Sequence, residues 1–150
     1  MEPIRRQLTQ GASPRALALA LALGLTVGTF PVLGTTTLAC GLVAAALRLN
    51  QPAIQVANYA AYPLQLALYI PFFQAGAWLF GEPPLSLTLS QVQAELSADV
   101  WGTIARYAWA NVRAVAAWSA VALPVALVLY LALKALLERL PSPGGVTPPP

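Results

Sequence analysis

Three consecutive threonines, Thr35, Thr36 and Thr37, lie inside an uncharged apolar run that extends from Ala16 to Leu47. Gly28, Pro31 and Gly34 stand just ahead of them. Proline removes a backbone donor and its ring clashes with the preceding helical turn, so a helix through this run must break. If a second helix begins near Thr35 or Thr36, its first amides have no intrahelical partner and carry the positive end of the helix dipole. Amides and hydroxyls gathered at such a break can bind an anionic group, as broken helices do in transporters. The same hydroxyls also serve as ordinary helix caps and as glue between helices.

Two further groups of residues could take part. Arg48 closes the apolar run and Asn50 follows it. An arginine there can grip a phosphate or carboxylate, with Asn50 orienting it, or it can favour a helix C-terminus and reach lipid phosphate. Farther on, Asn58, Tyr62, Gln65 and Tyr69 recur three or four residues apart, with Gln55 and Tyr59 beside them. That spacing places the four on one helix face. Pro63 frees a carbonyl on the same face, which can line a cavity or bond to a neighbouring helix. No carboxylate lies inside an apolar run, which argues against a proton relay or a carboxylate cation site in the membrane. The chain has no histidine and one cysteine, Cys40. A Cys/His zinc site, an internal disulfide and a histidine-based triad are excluded. With Leu38, Ala39, Gly41 and Leu42 around it, Cys40 reads as a small packing residue. No set of acid, base or metal ligands suggests an enzyme, and the residues imply neither cofactor nor metal.

The elements that must position these groups are helices in a bilayer. Of 150 residues, 58% are hydrophobic and 9% charged, with a mean hydropathy of +0.67. Soluble domains carry about 25% charged residues, and a fold this short cannot hide so much apolar surface. Net charge is +3, but the basic residues are scattered, so nucleic acid is not an expected partner. Membrane lipids are. Arg5, Arg6 and Arg15 ahead of an Ala/Leu stretch could open a secretory signal, and Thr37-Leu38-Ala39-Cys40 hints at lipoprotein cleavage. The chain stays apolar after Cys40, however, and position 37 is not aliphatic, so the membrane-domain reading stands. Leu and Ala alternate from Ala16 to Leu23 as they would in a strand. Both are good helix formers, and a lone strand cannot satisfy its backbone in lipid.

The expected fold is therefore all-α and polytopic. Residues 1–14 form a basic leader, with Ser13 capping a helix that starts at Pro14. The run from Ala16 to Leu47 is too long for one straight crossing of about 20 residues and too short for two. It reads as a helical hairpin broken by proline and glycine, with arms Ala16 to Phe30 and Thr36 to Leu47. Gly24 and Gly28 form a GxxxG pair, with Gly41, Ala45 and Ala46 as a small face opposite. The hairpin is re-entrant if it leaves by the side it entered. Residues 53–80 form a second membrane run that Pro63 and Pro71 kink or break, with Pro63 as the structural break and Trp78 and Phe80 near its interfacial end. Residues 85–113 read as an amphipathic surface helix capped by Ser90 and anchored by Trp101 and Trp109. Residues 114–133 cross again, kinked at Pro124, and 140–150 are a disordered Pro-rich tail. If the hairpin re-enters and two crossings follow, Arg5, Arg6, Arg15, Arg48, Lys134 and Arg139 fall on one side, and both termini are expected in the cytoplasm.

The segment GTFPVLGTTTLACGLVAAALRLNQP resembles the bacterial "domain of unknown function 2062" family of small integral membrane proteins. The resemblance rests on Gly24, Gly28, Phe30, Pro31, Gly34, Thr37, Arg48, Asn50 and Pro52 in order, then Pro63, Pro71 and Gly76. It departs where the family pattern has Asn-Pro, since this chain has Tyr62-Pro63. The resemblance implies a bacterial inner-membrane protein and no established activity. Relatives fused to glycosyltransferase-like domains imply envelope or lipid-linked sugar work. Two functions are expected on these grounds. One is transport or handling of an anionic or lipid-linked envelope substrate, with a homo-oligomer completing the pathway. The other is a non-catalytic scaffold or partner of an envelope-biosynthesis enzyme such as a glycosyltransferase.

Overall fold

Pro14 can start a helix because the first helical residues need no N–H partner. Ser13 completes that start: its Oγ accepts from the Ala16 N–H at 3.2 Å. The computed structural model describes residues 13–83 and 88–139, and within them every regular element is a helix. Most of the basic leader, the first residues of the expected amphipathic segment and the Pro-rich tail lie outside the described residues. The helices are α1 (Pro14–Val27), α2 (Thr36–Leu47), α3 (Gln51–Ala60), α4 (Tyr62–Leu79), α5 (Leu89–Ala98) and α6 (Val100–Arg139).

α1 is the middle of the arrangement, packed against α3 on one side and α6 on another, with α2 against both α3 and α1. The alternation of Leu and Ala suits that position. Residues two apart on a helix are about 200° apart around the axis. Small residues at every second position therefore line two opposite faces, with leucines between them. Ala20, Gly24 and Gly28 form the first stripe. A Cβ at Gly24 would meet the Ile54 carbonyl oxygen, and one at Gly28 would lie 2.8 Å from the Ala61 Cβ. Ala18, Ala22 and Thr26 form the other stripe and are also buried. Ala20, Cys40, Ala44, Ala53 and Ile54 make one core cluster, and Phe72, Phe73, Ala110 and Ala114 make a second where α4 meets α6.

Several details differ from the sequence expectation. The glycine pair of α1 faces α3 and not the second arm, and Ala45 and Ala46 are exposed. The small side chains at that contact are Ala57 of α3, against Gly24, and Ala61 just after it, against Gly28. The membrane run over 53–80 is two helices, broken at Ala61. The break expected at Pro63 is present just before it: Pro63 sits in the first turn of α4, where its missing N–H costs nothing. α4 runs through Pro71 and α6 through Pro124.

The expected boundary at residue 113 lies inside α6, a single helix of 40 residues. The break falls instead at Asp99, which is extended (φ −153°, ψ 100°) and whose Oδ1 accepts from the Gly102 N–H at 3.0 Å. Asp99 caps α6 and so ends α5. Ser90 is inside α5, not at its cap; Thr88 holds that position without a side-chain bond. Among the described residues, α6 is the helix long and apolar enough to cross a membrane, while α1 and α2 are shorter apolar helices.

Candidate functional site

The hairpin break runs from Gly28 to Thr35, between α1 and α2. Gly28 ends α1 in a right-handed conformation, so its missing side chain serves close packing rather than backbone freedom. Gly34 is the reverse case. Its φ is +82° and nothing lies near the position of a Cβ, so the turn itself requires glycine there. Pro31 is fully buried. The Phe30 ring meets Trp118 of α6 edge to face, 5.0 Å between centroids.

Hydrogen bonds bind this apex to the rest of the chain. Gln65 of α4, 1% exposed, donates from Nε2 to the Phe30 carbonyl at 2.8 Å. Trp118 Nε1 donates to Thr29 Oγ1 at 3.1 Å, and Thr29 donates in turn to the Thr26 carbonyl at 2.8 Å. Both links tie a carbonyl or hydroxyl freed by the break to a distant helix. Gln65 was legible as a polar residue in an apolar run, but its partner was not. Thr29 gave no signal, because its donor is 89 residues away.

The three threonines separate. Thr35 precedes α2 without capping it; its hydroxyl donates to the Val32 carbonyl at 2.8 Å. Thr36, the first residue of α2, is buried. Thr37 is exposed, and its Oγ1 accepts from Asn58 Nδ2 at 3.4 Å. The Thr37 carbonyl accepts from Gln55 Nε2 at 3.0 Å, and Asn58 also donates to Gln55 Oε1 at 3.2 Å. One turn along, Gln51 Nε2 donates to the Gly41 carbonyl at 3.0 Å. Amides of α3 thus form a polar seam along α2.

The expected polar face through Asn58, Tyr62, Gln65 and Tyr69 is not one face. The bend at Ala61 divides it, leaving Asn58 and Gln65 buried while Tyr62 is 53% exposed at the start of α4. Arg48 and Asn50 also stand apart from the threonines. They follow the C-terminal end of α2, about 18 Å of helix from Thr36. Asn50 does not orient Arg48: its Oδ1 accepts from the Ala53 N–H at 2.9 Å and caps α3. Pro52 follows in the first turn, where proline is tolerated. Arg48 is the left-handed C-cap of α2 (φ 53°, ψ 42°), closed by the Leu49 N–H donating to the Ala44 carbonyl at 2.8 Å. Arg48, Asn50 and Pro52 are the parts of a helix-to-helix joint.

A family model described as "Uncharacterized protein conserved in bacteria (DUF2062)" matches residues 3–141. The chain belongs to this family. No curated protein and no solved structure matches it. In this DUF2062 chain the run from Gly28 to Pro52 holds a packed apex at one end of α2 and a capped joint at the other. Most side chains in that run that could do chemistry are engaged in building the fold. Arg48 is exposed and makes no ion pair among the described residues. Among the described residues no group of three or more His, Cys, Asp or Glu could hold a metal ion.

Proposed function

We propose that this chain is a two-crossing inner-membrane protein with a re-entrant hairpin, and that it acts as a non-catalytic partner of an envelope-biosynthesis enzyme. α6 serves as a depth scale. It carries no charge from Ala114 to Leu133, about 30 Å of helix, the thickness of a bilayer core. Arg15 pairs with Glu138 at one end of that stretch, and Glu82 pairs with Arg113 at the other. α1, α2 and α3 have 14, 12 and 10 residues, each too short to span about 30 Å. The apex touches α6 at Trp118, about 7 Å inside the Arg113 edge. That depth supports a hairpin that turns within the lipid, with α3 and α4 together making the crossing that α6 reverses.

The observation that carries the partner reading is α5. None of its ten residues is buried, although Glu95 fastens it to Arg106 at 3.1 Å and Asp99 fixes the bend into α6. Trp101 and Trp109, 80% and 65% exposed, follow the bend in the first turns of α6. An ordered arm with free aromatic anchors is suited to engage another protein at the membrane surface. A photo-cross-linking residue at Trp101 or Arg106, used in native membranes, is expected to give one discrete adduct with an envelope glycosyltransferase. Absence of such an adduct overturns the reading.

Transport of an anionic or lipid-linked substrate is the second reading. It is favoured by the start of α2, which has no side-chain cap and has Thr36 and Thr37 in its first turn. Replacing both by valine separates the two. As a partner, the protein keeps its function and loses about 1 kcal/mol of stability from the Asn58 contact. As a carrier, it loses flux while remaining folded.

A further inference from the structure

The two ends of the molecule handle charge differently. At the Glu82 end each described arginine has a carboxylate: Arg113 pairs with Glu82 at 3.2 Å and Arg106 with Glu95 at 3.1 Å. Asp99 adds a further negative charge there. At the Arg15 end the described acid is Glu138, and Arg15 takes it at 3.2 Å. Arg48, Lys134 and Arg139 have no ion pair among the described residues. Packing places Arg48 at this end. α3 runs beside α1 in the same direction, with Ile54 against Gly24 and Ala61 against Gly28. The joint before α3 therefore lies level with the first turns of α1.

The backbone of Arg48 sharpens the point. It is the one described non-glycine residue at positive φ. Glycine is the usual residue at a left-handed C-cap, because a Cβ there costs about 1 kcal/mol. The joint would close at least as well with glycine, yet an exposed arginine stands there.

We infer that this end is an interaction surface for an anionic phospholipid leaflet, and that Arg48 is its principal contact to a headgroup phosphate. A guanidinium presents a planar fork of donors that matches phosphate oxygens. Lys134 and Arg139, about 7.5 Å apart along the α6 axis, supply point charges to neighbouring headgroups. The opposite end, neutralised by its own carboxylates, has no such preference. The inference rests on the membrane reading above.

The test uses the full chain with unmodified lipids. It is reconstituted into vesicles of phosphatidylcholine alone and of phosphatidylcholine mixed with phosphatidylglycerol, and co-purifying lipid is counted by native mass spectrometry. Retained phosphatidylglycerol is expected to exceed its share of the vesicle. Arg48→Gly is expected to lower that enrichment about fivefold, the effect of one basic residue at an anionic surface. The same variant unfolds in neutral detergent no earlier than the parent, because glycine relieves the left-handed backbone. Arg106→Gln, at the other end, is expected to leave the enrichment unchanged. Enrichment that survives Arg48→Gly, or that falls equally with Arg106→Gln, overturns the inference. A chain that inserts into both vesicles without preference overturns it and leaves the membrane reading intact. A chain that inserts into neither overturns both.

Discussion

Two glycines with opposite roles give a test at the level of single residues. Gly24 needs the absence of a Cβ, because an added carbon would meet the Ile54 carbonyl and lie 2.7 Å from the Ala57 Cβ. Gly34 needs only its dihedral angle, with open space around it. Gly24→Ala is expected to cost about 1–3 kcal/mol, as overpacking does, by forcing α1 from α3. Gly34→Ala is expected to cost about 1 kcal/mol through the backbone. Unfolding midpoints in micelles check both, and Gly34→Asn should restore much of the second loss, since asparagine tolerates the left-handed region better than alanine. The sequence marked both glycines as part of a break or a packing motif. It could not say which effect each served, because that depends on what lies opposite, and α3 is some 30 residues on. The serine and proline that start α1 were legible for the contrary reason: both ends of the Ser13 cap lie within one turn.

Breaks between helices proved easier to find when the cause was local. The interruption between α1 and α2 follows from Pro31 and Gly34, and α2 starts at Thr36 as those residues imply. The division at Ala61 falls just before Pro63, because a proline stands readily in the first turn of the helix that follows a break. The Asp99 break was missed altogether. Aspartate is a good N-cap, but continuous helical spacing from Val92 to Tyr107 hid the two-helix elbow. The joint between break and helix is Gln65, which reaches from α4 to the Phe30 carbonyl. Gln65→Leu is expected to destabilise the chain by about 1–3 kcal/mol, the cost of leaving such a group unpaired. Hydrogen exchange should show the loosening concentrated from Thr29 to Thr37, with α6 near Lys134 unaffected. Uniform loosening would mean that the apex and α4 do not form a local unit.

At the scale of the whole molecule, charge and depth make a joint prediction. In a Cys40→Ala background, single cysteines placed at Leu47 and at Gly81 should react with impermeant reagent from opposite sides of sealed vesicles. Reaction of both from the same side would overturn the two-crossing arrangement. The helical class and the apolar runs could be read directly, since the runs are rich in leucine and alanine, both good helix formers. The neighbours of each helix could not, because periodicity reports a face and not its partner. α1 shows why this matters. It is buried between α3 and α6, and α6 is the last of the described helices to be synthesised. The first described helix therefore waits for the last described one with one small-residue face uncovered, and chains stopped short of Trp118 would leave it so. Quality control that recognises an uncovered apolar helix would see those truncated products, while the longer chain closes its first described helix with its last.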